Sequence, residues 1–119
     1  KKILEDIVVT RIFEIVRDDL SKHRSLGTKL VFIDAPLLIE TGLNRLCDIC
    51  VLVTADIETR INRVEKRDGI NRDRVLERIN NQMPESEKKA VADELIDNSG
   101  SIEYLNNSVE RLINKYVEY

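Results

Sequence analysis

Apolar residues recur at helical spacing in the first part of the chain and then form two short continuous runs. In residues 2–24 they fall on one helical face, which predicts an amphipathic helix, and Gly27 is a natural stop for it. Residues 30–33 and 49–53 are uninterrupted β-prone runs. Runs of this kind are typical of strands buried on both faces of a parallel sheet.

Helical spacing returns after the second run. It predicts helices over residues 57–67, 72–83 and about 85–92, a short apolar stretch at Leu95-Ile96, a turn at 98–100 and a last helix carrying Ile102 to Tyr116. Alternating strands and helices indicate an α/β fold with a parallel sheet. Only three strands are predicted, fewer than the usual number of about five or six, so we expect an incomplete sheet with an open edge.

Composition and charge narrow the possible partners. The 119 residues are 42% hydrophobic and 34% charged, with a net charge of −3, which is typical of a soluble, helix-rich globular protein. A mildly acidic chain is not a general binder of nucleic acid or of membrane surfaces, so we expect neither as a partner. No apolar run approaches the roughly 20 residues that cross a bilayer. We expect a cytoplasmic protein.

The two cysteines, Cys47 and Cys50, form a C-x-x-C pair. A redox pair of this type normally opens a helix after a strand, whereas this pair runs into the apolar segment 49–53. A zinc site needs about four ligands, and the single histidine, His23, lies in a distant polar stretch. The pattern therefore favours cysteines that belong to the core.

Asp34 is the first candidate for chemistry, because it directly follows the apolar run 30–33. Ligands of open α/β sheets bind beyond the carboxyl ends of the strands, and an aspartate there can hold Mg²⁺ in a phosphoryl-transfer site. An aspartate that only caps the following turn is an equally good explanation. A haloacid-type phosphatase is rejected, because it needs a second aspartate where Pro36 stands.

Arginines form the second candidate. Arg60, Arg63 and Arg67 share one face of the predicted helix 57–67, beside its apolar face. Such clusters match the recognition of phosphate oxygens, although a solvated face near the helix C-terminus is the alternative. Arg78 follows on the next helix, across Asp68-Gly69. Two helices joined at a glycine could close over a polyphosphate and exclude water.

Two further arginines are less specific. Arg72 and Arg74 can be neutralised at the surface by nearby carboxylates, and for them we favour that explanation. The hypothesis of a polyphosphate site therefore depends on Arg63, Arg67 and Arg78, converging over the strand ends that carry Asp34.

Four segments, in order and with matching spacing, resemble dephospho-coenzyme A kinases. They are Asp34 to Glu40 (D-x-P-L-L-x-E), Glu58 to Gly69 (E-x-Q-x-x-R-x-x-x-R-D-G), Arg78 to Gln82 (R-I-x-x-Q) and Ala92 to Ser101 (A-D-x-x-I-x-N-x-G-S). Each motif is weak alone, but the ordered set across roughly residues 4–113 is specific.

The resemblance implies a P-loop kinase fold with a helical lid, and ATP-dependent phosphorylation of the ribose 3′-hydroxyl of dephospho-coenzyme A, the last step of coenzyme A synthesis. ATP and Mg²⁺ would be the cofactors. Arg63, Arg67 and Arg78 would bind the nucleotide, Arg67 and Arg78 acting on its phosphates in catalysis. Asn98 would lie beside the adenine. Asp34 would be catalytic and hold the metal through water, and Pro36, Leu37, Leu38 and Glu40 would face the acceptor substrate.

Three departures from the family pattern affect these expectations. The chain contains no G-x-x-x-x-G-K-[ST] motif, the loop that cradles the β- and γ-phosphates. Val9-Thr10 stands where His-Pro is usual, and Arg60 where glutamine is typical. We therefore expect an N-terminally truncated family member that is inactive as these 119 residues alone. The alternatives are another nucleotide or nucleoside kinase of the same fold and a short non-catalytic binding module.

The expected organisation is a single partial domain in four parts. They are a helical coenzyme or substrate side (1–26), core strands and helices (27–67), the lid and following helix (68–92), and the last strand and C-terminal helix (93–119). An open sheet edge also predicts possible self-association.

Overall fold

The computed structural model describes residues 2–117, with side chains described from residue 7 onward. The chain divides into two compact units, one up to residue 48 and the other from residue 49. Its elements are α1 (Lys2–Ser25), a 3₁₀ helix (Leu43–Leu46), β1 (Val51–Thr54), α2 (Ile57–Asp68), α3 (Arg72–Asn80), α4 (Glu85–Val91), β2 (Glu94–Asp97) and α5 (Ile102–Val117). Among these described residues, no helix is both long enough and apolar enough to cross a bilayer.

The first unit begins with α1, which confirms the helix predicted from the apolar spacing. Gly27 ends it with a φ of 73°, a left-handed conformation that glycine adopts at no steric cost. The N–H groups of Gly27 and Thr28 donate to the carbonyls of Arg24 and His23 at 3.1 and 3.0 Å. This pair of bonds satisfies carbonyls at the helix end that would otherwise lack a partner.

The prediction of a strand at residues 30–33 is wrong. No strand forms there, and the sheet within residues 2–117 consists of β1 and β2 alone. A strand is stabilised by hydrogen bonds to its neighbour, which apolar, β-prone side chains do not provide by themselves. The apolar segment is left partly in solvent, with Phe32 72% exposed.

The second unit is built on the parallel pair β1 and β2, paired in register from Val51 with Glu94 to Thr54 with Asp97. These strands lie in the run 49–53 and at the apolar stretch Leu95-Ile96, so the α/β fold with a parallel sheet is confirmed. The connection between them contains α2, α3 and α4, as expected of a parallel crossover.

Cys50 directly precedes β1 and is buried. Burial, and secondarily the negative charge of Asp93, raise the pKa of its thiol. Both cysteines are free thiols, and the described residues contain no cluster of His, Cys, Asp or Glu suited to a metal ion. For Cys50, the prediction of a core cysteine is confirmed.

Helices cover the sheet of the second unit. Ile61 of α2 and Val75 of α3 are fully buried, and the two helices pack on each other. Helix α5 packs on β2, where Lys115 contacts the Glu94 carboxylate at 2.9 Å. Helix α3 ends at Asn80, earlier than the predicted residue 83; Pro84 disfavours helical backbone at Met83, the residue directly before it.

Candidate functional site

The carboxyl ends of β1 and β2 lie side by side, because the strands are parallel and in register. Asn98, which follows β2, donates its backbone N–H to the Thr54 carbonyl at 2.6 Å. The backbone N–H of Asp56 donates to the Ser99 hydroxyl at 2.7 Å. These two hydrogen bonds hold the turns after β1 and β2 side by side, at the edge of the sheet where ligands of α/β proteins bind.

Asp56 begins α2 as its N-cap. Its carboxylate accepts from the backbone N–H and the hydroxyl of Thr59, at 2.9 and 2.8 Å. These bonds, the backbone one first, hold the pKa of Asp56 below its ordinary value. Asp56 forms no ion pair with Arg60 in the described part of the chain.

A cleft of about 470 Å³ opens beside these strand ends. The end of β1, the start of α2, the turn after α3 and the first residues of α4 form its walls. Its lining includes Ile57, Arg60, Ile79, Gln82, Met83 and Asn98. A cleft of this size, with apolar walls and a few polar side chains, is typical of sites for small organic ligands.

Helices α2 and α3 form a short hairpin whose ends are encoded locally. Gly69 ends α2 with a φ of 64°, and its N–H donates to the Glu65 carbonyl at 2.9 Å. Asn71 begins α3, its side chain accepting from the Arg74 N–H at 3.0 Å. Only two residues separate Gly69 from the first residue of α3, so the connection between the two helices is short.

Arg67 and Arg78, from different helices, meet at the carboxylate of Asp68. Arg67 donates through Nε to Oδ1 at 2.9 Å and through Nη2 to Oδ2 at 3.1 Å. Arg78 donates through Nη1 to Oδ2 at 2.7 Å. Hydrogen bonds from Arg67, then from Arg78, lower the pKa of Asp68 from 3.8 to about 2. The structure therefore brings together two of the three predicted arginines.

The third, Arg63, lies exposed on α2 and forms no ion pair within the described residues. Arg72 binds the Glu58 carboxylate at 2.6 Å. The expectation that Arg72 is neutralised at the surface is confirmed, although its partner belongs to the first turn of α2 and not to the carboxylates near it in sequence. Arg74 is exposed.

The remaining predicted residues belong to the first unit. Asp34 is exposed and has no hydrogen bond or ion pair within the described residues. Pro36 begins a series of turns in which Thr41 donates its backbone N–H to the Leu37 carbonyl at 3.0 Å. Leu37 is exposed, whereas Leu38 and Glu40 are partly buried. The 36–40 segment is thus an ordered loop that follows an accessible carboxylate.

Asp34 offers one accessible carboxylate, while the described residues contain no group of three or more potential metal ligands. Magnesium usually takes only one or two protein carboxylates, keeps several waters and binds substrate phosphates. Asp34 could supply one such carboxylate.

A sequence model of the family described as CoaE, dephospho-CoA kinase, matches residues 1–104 of this chain. The chain belongs to the dephospho-CoA kinase family. The dephospho-CoA kinase of Corynebacterium glutamicum strain ATCC 13032 is 34% identical over 93% of this chain and 56% of that protein. A dephospho-CoA kinase of Thermus thermophilus is 36% identical over 94% of this chain and 54% of that protein.

The crystal structure of TT1252 from Thermus thermophilus is similar to this fold, with a TM-score of 0.75 and 35% sequence identity. The match covers 96% of this chain and 58% of that one. This chain spans about half the length of the curated dephospho-CoA kinases that it matches.

One candidate site residue of this dephospho-CoA kinase family member, Gln82, was missed by reasoning from the sequence, and Arg60 was left out of the final set of site residues. Arg60 and Gln82 line the same cleft as Asn98, whereas the sequence indicated Arg60 as a member of the arginine face of α2 and as a departure from the family pattern. Gln82 belongs to the R-I-x-x-Q motif, which by itself assigns it no role. The motif was the available signal, whereas the turn that brings Gln82 beside β1 is a tertiary feature.

Proposed function

We propose that the complete protein containing these residues transfers the γ-phosphoryl group of ATP to the 3′-hydroxyl of dephospho-coenzyme A, the last step of coenzyme A synthesis. Family membership supports the class of reaction. The observation that carries the proposal for this chain is the meeting of Arg67 and Arg78 at one carboxylate, because it concentrates two phosphate-binding side chains from two family motifs at one place.

The proposed role of the two arginines follows from the chemistry of phosphoryl transfer. Negative charge spreads over the oxygens of the transferred group, and catalysis consists mainly of positioning and of stabilising that charge. Guanidinium groups offer fixed N–H donors to such oxygens. Arg67 and Arg78 would bind the phosphates, and Arg63, exposed on α2 one turn before Arg67, would complete the nucleotide side.

The cleft supports a place for the adenine. The Asn98 side chain can both donate and accept hydrogen bonds, as an adenine edge requires, and apolar walls from Ile57, Ile79 and Met83 suit its faces. Arg60 and Gln82 supply further polar groups. We infer that Asn98 contacts the base.

The first unit would bind the acceptor, dephospho-coenzyme A. Asp34 would hold Mg²⁺ through water, an ion whose charge can neutralise phosphate oxygens. The loop residues Pro36, Leu37, Leu38 and Glu40 would contact dephospho-coenzyme A. We place the reaction in the cytoplasm, to which the two free thiols are suited.

The test is an assay of the protein made from the complete coding sequence. ATP, Mg²⁺ and dephospho-coenzyme A should give coenzyme A with its new phosphate on the 3′-oxygen, identified by ³¹P NMR and mass. Transfer to nucleosides or nucleotides in preference to dephospho-coenzyme A would replace the proposal by a different kinase of the same fold. No transfer to any of them, with no G-x-x-x-x-G-K-[ST] encoded upstream of residue 1, would support a non-catalytic module.

We also propose that the 119-residue chain self-associates through its sheet edge, with a second copy as the partner. Within the described residues β1 pairs with β2 alone, and the apolar segment 30–33 pairs with no strand. An open edge and an unpaired β-prone segment are complementary in hydrogen bonding and in side chains.

Light scattering coupled to size-exclusion chromatography tests this association. The chain should form a dimer whose fraction rises with concentration, and Phe32→Asp should abolish it. Leu26→Asp, at an apolar side chain that is 70% exposed but lies outside the segment, is the matched control and should leave the dimer. A monomer at all concentrations would overturn the proposal.

A further inference from the structure

Asp68 contacts both arginines through different geometries. Arg67 lies side-on to the carboxylate, using Nε and Nη2, while Arg78 reaches Oδ2 through Nη1 alone. Oδ2 therefore accepts from both guanidinium groups, at 3.1 and 2.7 Å. The carboxylate joins the last turn of α2 to the last turn of α3.

The exposed fractions of the three side chains indicate that the two arginines, and not Asp68, have to be held in place. The Arg67 and Arg78 side chains are 71% and 51% exposed, whereas that of Asp68 is 27% exposed. Long exposed side chains lose considerable rotamer freedom when they are ordered, and two like charges repel when they approach. A shorter, less exposed carboxylate between them offsets both costs before any ligand arrives.

Most N–H donors of Arg67 and Arg78 remain available after the two side chains pair with Asp68. Asp68 occupies two N–H directions of Arg67 and one of Arg78, and a guanidinium group carries several more. Two cations and one anion also leave the cluster with a net positive charge. The cluster can therefore still accept a phosphate group while its arginines are held together.

We propose that Asp68 is a positioning residue of the nucleotide site, which holds Arg67 and Arg78 in one arrangement ready to bind the polyphosphate of ATP. This inference rests on the proposed function, since it assigns the polyphosphate to ATP. Asp68 itself does not touch the nucleotide. Its effect reaches the phosphates only through the two arginines.

Two roles for Asp68 predict opposite signs. If the carboxylate acted only through its charge, replacing it by a neutral group would strengthen polyanion binding, because the local field would become more positive. If it positions the arginines, the same replacement weakens binding, because the ordering cost then falls on the step in which ATP binds. The sign of the change separates the two.

The experiment compares Asp68→Asn, Asp68→Glu and Glu77→Gln in the complete protein. Glu77 is exposed on α3 and has no ion pair within the described residues, so Glu77→Gln removes the same charge without the contacts. We expect Asp68→Asn to lower kcat/KM for ATP about tenfold or more, with an unchanged Kd for adenosine. Glu77→Gln should change neither, and Asp68→Glu should restore part of the loss.

Circular dichroism and Tm of each variant separate positioning from folding, since the contacts are at the surface and each variant should stay folded and lose only a few degrees of Tm. Tighter or equal ATP binding by folded Asp68→Asn would overturn the inference. So would an equal loss of adenosine and ATP affinity. A wild-type protein that binds no ATP would instead refute the proposed function, so the two failures are distinguishable.

Discussion

Glu58 and Arg72, fourteen residues apart in sequence, form a two-point ion pair that joins the first turns of α2 and α3. Arg72 donates through Nη2 to Oε1 at 2.6 Å and through Nη1 to Oε2 at 2.8 Å. With the contact between Asp68 and Arg78 at 2.7 Å, the helices are connected at two places along their length. Both contacts link the two helices that Gly69 joins, and their closure over a polyphosphate stays a prediction.

Removing the first of these contacts should weaken the hairpin slightly. Glu58→Gln is expected to lower Tm by only about 1–5 °C, because both side chains are largely exposed and solvent screens the pair. High salt should reduce the difference between variant and wild type. Glu110→Gln, on α5, is a control that removes a charge without an ion pair in the described residues. A drop of more than about 10 °C would contradict this explanation.

Ile61 should be far more sensitive than its neighbour Ile57 on the same helix. Ile61 is 0% exposed, whereas Ile57 is 49% exposed. Ile61→Ala leaves a cavity and should cost about 2–5 kcal/mol of unfolding free energy, while Ile57→Ala should cost at most about 1 kcal/mol. Urea denaturation monitored by circular dichroism measures both. Equal losses would show that α2 does not bury the face described here.

The ion pairs of Asp68 should persist to unusually low pH. Its folded pKa, about 2, lies below the ordinary 3.8, so its contribution to stability is complete above about pH 4 and is lost as the pH falls through about 2. NMR titration of the Asp68 carboxyl carbon should give that midpoint. Arg67→Met should raise the pKa more than Arg78→Met, because the bonds from Arg67 lower it most. A midpoint near 3.8 in the unaltered chain would mean that the pairs do not form in solution.

Replacing Asn98 should weaken the binding of the ATP base and leave the binding of the phosphates unchanged. Asn98→Ala is expected to weaken ATP binding by the complete protein about five- to tenfold, the loss of roughly one hydrogen bond, and to reduce the preference for ATP over GTP. Inorganic triphosphate, which has no base, should bind as before. Asn62→Ala, at an exposed position of α2 that does not line the cleft, is the control. Unchanged discrimination between ATP and GTP would show that Asn98 does not contact the base.

The 119 residues alone should transfer no phosphate from ATP to dephospho-coenzyme A. They contain no G-x-x-x-x-G-K-[ST] motif, so the backbone cradle and the lysine for the β- and γ-phosphates are missing from the chain assayed. The complete protein, run at the same concentration, shows that the assay works. Measurable coenzyme A formed by the isolated chain would prove this prediction wrong.

How much of the structure could be predicted depended on the range of the interactions. The apolar spacing predicts helix α2 within one residue, and the structure adds that Asp56 caps it and Gly69 ends it. The strand expected at residues 30–33 did not form, because strand formation depends on a partner that no local pattern supplies. Of the three arginines expected to converge, Arg67 and Arg78 meet and Arg63 does not, and the sequence does not show that Asp68 is shared.

The sequence by itself determined the helices, the parallel α/β class and membership of the dephospho-CoA kinase family, since periodicity, capping residues and motif order are all written along the chain. Only the tertiary structure decided that Arg72 pairs with Glu58, that Arg67 and Arg78 meet at Asp68, and that Arg60 and Gln82 share a cleft with Asn98. These side chains are brought together by the packing of Ile61 and Val75 and by the pairing of two distant strands. Contacts of that kind depend on how whole elements pack in space, which spacing along the chain does not specify.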